Sequence, residues 1–170
     1  MMSNNDNLCS ICEVEQQCCK EMGLKLSKDE YERHFKSHPG RFDVIHYSGM
    51  VVVFPRDDRP CPYLTGTGCG IYLDRPVDCR LYPYELNRME EKRSRVEAVL
   101  YDQTDCPHKE ELFIPIEEAE ELVRELAREV YGPGKPVFIK YRPGKKPRRA
   151  FGIFNPLIAK LYRVFKSEES

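Results

Sequence analysis

Eight cysteines in 170 residues are the chemically distinctive side chains of this chain. Cys9, Cys12, Cys18 and Cys19 form a tight quartet, Cys-x2-Cys-x5-Cys-Cys. Cys61, Cys69, Cys79 and Cys106 follow at wider intervals, the first and last of them each leading a Cys-Pro pair. Thiolates converging at about 2.3 Å hold zinc, and a Cys-x2-Cys loop supplies two of them at once. Iron–sulfur clusters use the same spacing, favour all-thiolate coordination and often carry a proline after one ligand. The side chains of adjacent Cys18 and Cys19 diverge, so together they suit two sites, or two irons of one cluster, better than one zinc. All eight cysteines are therefore candidate metal ligands. The all-thiolate set and the Cys-Pro pairs favour a [4Fe-4S] cluster slightly over Zn2+.

Two plainer readings compete. An even number of cysteines suits a disulfide framework, and an unligated cysteine is often a small buried hydrophobe. The N-terminal Met-Met-Ser-Asn-Asn-Asp-Asn lacks the basic and apolar regions of a secretory signal, and no apolar run approaches the ~18 residues of a membrane span. The expectation is a cytoplasmic protein without membrane contact, whose thiols stay reduced and able to bind metal.

Arg75 and Arg80 bracket Cys79 and are candidate cofactor-binding residues. Their guanidinium groups could offset thiolate charge or hold an anionic ligand; the alternative is a salt bridge that organises the loop. His34 and His38 have a usable ligand spacing on a predicted helix, but an exposed helix surface accounts for them better. His108, two residues after Cys106, is a weaker candidate.

The elements that must position these residues are partly legible. Ser27 and Glu30 form a capping box for a helix carrying Tyr31 and Phe35, which should stop near Pro39-Gly40. Residues 44–47 and 50–54 flank Ser48-Gly49 as a hairpin, with Gly49 supplying a positive φ and the Val51-Val52-Val53 run suggesting a strand covered on both faces. Residues 55–83 are rich in proline and glycine and bury little apolar surface, the kind of stretch a metal site organises. A strand is predicted over 95–101, an amphipathic helix over 116–131 ended by Gly132-Pro133, a short strand over 137–141, and a last amphipathic helix after Asn155-Pro156. A composition of 41% hydrophobic and 32% charged residues is compatible with a packed core and argues against a disordered chain.

The residues between the elements carry a family resemblance. Cys9-Ser-Ile-Cys12 with Cys18-Cys19, then Cys61-Pro62-Tyr63-Leu64, Gly68-Cys69-Gly70-Ile71-Tyr72 and Arg75-Pro76-Val77-Asp78-Cys79-Arg80-Leu81-Tyr82-Pro83, resemble the CxxCxxCC family of proteins described as zinc- or iron-chelating. The match covers roughly residues 9–106. This chain places three more residues between Cys12 and Cys18 than the family spacing has. The resemblance implies metal chelation without naming a reaction. Similar cysteine patterns in flagellin lysine methylases imply a secondary reading, protein lysine methyl transfer. No glycine-rich loop after a strand offers a Rossmann-type seat for S-adenosylmethionine.

These readings combine into an α+β fold: a small antiparallel sheet, two or three helices, and a cysteine-rich irregular region stapled by metal. Residues 1–132 are expected to form the metal-binding domain and 133–170 a basic extension with an amphipathic helix, packed on the same domain. The net charge of −1 conceals an acidic stretch at 110–129 and a basic one at 135–166. The basic residues of 140–149 could contact nucleic acid, a less favoured reading than a solvated loop or a dock for the acidic helix. Any other partner or substrate is expected to be a protein of unknown identity.

Overall fold

A computed structural model describes residues 23–57, 59–66, 68–102 and 114–143. Cys9, Cys12, Cys18, Cys19, Cys106, His108, the predicted C-terminal helix and most of the basic segment lie outside these residues.

The chain is α+β, and the strands among the described residues are divided among three sheets. The first holds β1 (Leu24–Leu26), β2 (Phe42–Tyr47) and β3 (Met50–Pro55) in the antiparallel order β1-β3-β2. Because β3 is central, Val51, Val52 and Val53 are all buried, as the unbroken valine run predicts. Tyr47 pairs with Met50 across a two-residue turn in which Ser48 (φ 48°) and Gly49 (φ 82°) both take positive φ. That is the demand of a type I′ turn, so Ser48 shares the role expected of Gly49 alone. β1 enters the sheet at Gly23, where a Cβ would run into the Phe54 ring. Between β1 and β2 lies helix α1 (Lys28–His34), opened by the predicted capping box.

The second sheet is a hairpin of two short strands, β4 (Leu64–Thr65) and β5 (Gly68–Cys69). A 3-10 turn (Tyr72–Asp74) and the one-turn helix α2 (Val77–Arg80) follow it.

The third sheet, β6 (Tyr84–Lys92), β7 (Arg95–Asp102) and β8 (Val137–Arg142), is mixed. β6 and β7 are antiparallel, whereas β8 lies parallel to β7 after a crossover containing α3 (Ile116–Tyr131). Ala119, Leu122, Val123, Leu126 and Ala127 of α3 are buried in one cluster with Leu86, Met89, Val96, Ala98 and Leu100 of the sheet. Gly132, at φ 86°, ends the helix where the sequence places its stop. β6 escapes sequence reading because its other face carries Glu85, Arg88, Glu90 and Lys92, and a register shift between Leu86 and Arg88 breaks its alternation.

A smaller cluster, Leu24, Leu26, Phe35, Phe42, Val51 and Val53, lies under the first sheet. α2 joins the two: Val77 and the following Leu81 belong to the larger cluster, while Cys79 packs against the smaller. His34 corrects one expectation. It is buried, at 4% exposure, not displayed on a helix surface, and His38 lies in the turn beyond α1.

Candidate metal centre

Three of the eight cysteines fall among the described residues, each on a different kind of element. Cys61 opens the turn Cys61-Pro62-Tyr63-Leu64, closed by the Leu64 N–H donating to the Cys61 carbonyl at 3.0 Å. The backbone N–H groups of Tyr63 and Leu64 also donate to the Cys61 sulfur. Cys69 ends β5, opposite Leu64 in the hairpin register, and Gly70 N–H donates to the Tyr63 carbonyl at 2.8 Å. Cys79 is carried by α2. All three are half-buried, and none is in a disulfide among the described residues.

The frame around them is polar and specific. Tyr63 donates its hydroxyl to the His34 carbonyl at 2.7 Å, and its ring meets His34, Phe35 and His38 edge-on. His34 Nε2 lies 3.6 Å from Asp74 Oδ2, on the 3-10 turn between Cys69 and Cys79. Glu30 Oε2 accepts the Ser27 N–H at 2.9 Å, and Oε1 accepts the Val77 N–H, the first of α2, at 2.6 Å. In return, Asp78 Oδ2 accepts the Lys25 N–H at 2.9 Å. The cysteine-bearing helix is thereby pinned to α1 and β1. Cys19 stands only five positions before Leu24, a reach of no more than about 18 Å.

Burial dominates the electrostatics. It raises the Cys61 thiol, and neighbouring Cys69 adds to the rise. Burial pushes Cys79 well above its ordinary value, with Asp78, Cys61 and Cys69 reinforcing it. The three sulfurs therefore lie within electrostatic reach of one another. Opposing them are the two N–H groups on Cys61, the Arg41 guanidinium beside Cys61 and the Arg75 guanidinium beside Cys79. Burial also raises the carboxyls of Glu30 and Asp78, in spite of their backbone partners.

The two bracketing arginines occupy different environments. Arg75 Nε donates to the Tyr72 carbonyl at 2.9 Å, and its guanidinium lies over the Tyr72 ring at 3.8 Å. Arg80 reaches instead to Glu125 of α3, at 3.2 Å. Arg41 has no counterpart in the sequence reading. Its Nη2 donates to the Pro60 carbonyl at 3.2 Å, and its Nε is buried with no partner among the described residues. Glu30, Asp78 and Tyr63 were likewise not singled out as parts of the site. Tyr63 and Asp78 stand within the family motifs and Glu30 within the capping box, but nothing in spacing marks a carboxylate as buried.

The donor chemistry is compatible with a thiolate-bound metal: three sulfurs within electrostatic reach of one another, N–H groups on one of them, and guanidinium groups beside two. Among the described residues, no group of three or more His, Cys, Asp or Glu is placed to hold a metal ion by itself. No helix among them is long and apolar enough to cross a membrane.

No curated protein and no solved structure matches the chain. A family model, CxxCxxCC, described as a putative zinc- or iron-chelating domain, matches residues 8–110, a span that takes in all eight cysteines and every element from β1 to β7. This chain belongs to the CxxCxxCC family.

Proposed function

We propose that the protein holds a [4Fe-4S] cluster through its cysteines, with Zn2+ as the alternative occupant of the same thiolates. Cys61, Cys69 and Cys79 supply one side of the centre, and the remaining ligands come from Cys9, Cys12, Cys18, Cys19 and Cys106. The observation that supports this reading is that three cysteines, drawn from a turn, a hairpin strand and a helix, lie close enough for their charges to act on one another. Three ligands leave a tetrahedral metal or a four-iron cluster incomplete, and α2 is bonded to β1, five residues from the N-terminal quartet. When bound, a cluster supplies one-electron chemistry, whereas zinc supplies a structural cross-link. Arg75 and Arg41 offset the negative charge that several thiolates bring into a half-buried site. The same reading calls for a compartment that keeps thiols reduced, consistent with the cytoplasm.

Anaerobic purification of the full chain, followed by iron, acid-labile sulfide and zinc analysis, tests the proposal. The expected result is a brown protein with iron and sulfide in equal amounts, about four of each per chain. A colourless protein with stoichiometric zinc replaces the cluster by its alternative. A metal-free protein with oxidised thiols overturns both.

A further inference from the structure

The face of the third sheet turned away from α3 takes no part in the metal frame. The β7–β8 register sets Glu97 opposite Phe138, Val99 opposite Lys140 and Tyr101 opposite Arg142. Val137, Ile139 and Tyr141 pack toward the larger core, so Phe138, Lys140 and Arg142 form a row on the outer face, about 6.6 Å apart along the strand. At 55% exposure, Phe138 is the one exposed phenylalanine or tyrosine among the described residues. The Arg95 guanidinium lies over one face of this ring, 5.1 Å from its centroid, which leaves the other face for stacking.

Charge on this face is unevenly placed. Glu90 is paired with Arg88 and Lys92, and Glu97 with Lys92 and Arg95. Lys140 and Arg142 have no carboxylate partner among the described residues, so the surplus positive charge lies along β8 beside the exposed ring. The sequence then continues through Lys145, Lys146, Arg148 and Arg149.

We infer that the outer face of β6-β7-β8 binds single-stranded nucleic acid, with Phe138 stacking on a base and Lys140 and Arg142 contacting phosphates. Every base offers a π-face to a ring, and a basic groove with an interleaved aromatic tracks a flexible strand without reading its sequence. A lipid surface fits less well, because one ring inserts little apolar area and Glu85, Glu90 and Glu97 share the face. An acidic peptide would meet the cations but has no use for the exposed ring.

Fluorescence anisotropy of the full chain with a labelled oligouridylate of about a dozen nucleotides tests this. Phe138→Ala is expected to weaken binding about fivefold or more, and Phe138→Tyr to retain it. The double variant Lys140→Gln/Arg142→Gln should reduce the slope of log K against log salt by about 1.4, roughly 0.7 for each phosphate no longer neutralised. This second arm stands even if Phe138→Ala perturbs folding. Absence of wild-type binding at low salt overturns the inference, as does binding that neither set of changes affects. Attachment to phosphatidylserine vesicles that these substitutions abolish, without oligouridylate binding, assigns the face to a membrane and overturns it too.

Discussion

Glu30 on α1 accepts the backbone N–H of Val77, the residue that opens α2, at 2.6 Å, while its second oxygen accepts the N–H of Ser27 at 2.9 Å. One buried carboxylate thus caps two helices, and the second of them carries Cys79. Glu30→Ala leaves two buried N–H groups without acceptors, each worth roughly 1–3 kcal/mol, so metal-free protein should lose about 2–6 kcal/mol in urea unfolding. Ser27→Ala removes one side of the capping box and should cost about 1 kcal/mol. Equal losses in the two variants would mean that the bond to Val77 contributes nothing.

Arg75 and Arg80 flank the same cysteine but should differ in effect. Burial is the main reason the Cys79 thiol titrates high, and the Arg75 guanidinium opposes it, whereas Arg80 is engaged with Glu125. In metal-free protein, Arg75→Gln should move iodoacetamide labelling of Cys79 to still higher pH, read by peptide mass spectrometry. Arg80→Gln should leave that profile in place while weakening the link between α2 and α3. A shift from Arg80→Gln equal to that from Arg75→Gln would overturn the distinction.

Much of the fold was legible because its signals are local. The capping box at Ser27 and Glu30, the Ser48-Gly49 hairpin and the amphipathic helix over residues 116–131 each declare themselves within a few residues. The three-residue β1 and the charged β6 do not, since both exist through partners distant in sequence. The candidate site divides in the same way. Cys61, Cys69 and Cys79 stand out by residue type, but the helix that carries Cys79 is held by Glu30 and Asp78, whose bonds span 47 and 53 residues. No sequence period predicts that an acid buried at the cost of its own ionisation will hold a distant backbone N–H. Arg41 was missed for the same reason, being 20 positions from Cys61 yet beside it in space.

Buried His34 gives the fold a pH dependence on the acid side. Burial holds its folded pKa below the free value near 6.5; Asp74 opposes the shift and Arg33 assists it. The unfolded chain therefore takes up the proton first as pH falls. Stability contributed by neutral His34 is fully present above about pH 6.5 and is lost as pH falls toward the folded value. Glu30 and Asp78 act in the opposite sense: their pKa values are raised, so their contribution is fully present below about pH 4 and falls as pH rises through the folded values. The difference between wild type and His34→Gln cancels the carboxyl terms. That difference should shrink as pH drops from about 7 to 5 in thermal melts of metal-free protein. A difference independent of pH would show that His34 is not buried in its neutral form.

The three described cysteines should separate a ligand's role from a packing role. Serine in place of Cys61, Cys69 or Cys79 removes one thiolate from a shared centre, so each variant should lose bound metal to a chelator faster than wild type. Because metal binds the folded state, wild-type protein should also melt lower once its metal is removed. The metal-free variants should not behave alike. Cys79 packs against the cluster of Leu24, Leu26, Phe35, Phe42, Val51 and Val53, and a hydroxyl placed there costs about 1–3 kcal/mol. Cys69, only half-buried on a two-stranded hairpin, should tolerate serine within about 0.5 kcal/mol. Metal retention equal to wild type in Cys69→Ser would remove Cys69 from the ligand set. Uniform destabilisation of all three metal-free variants would instead mean that the cysteines act chiefly by packing.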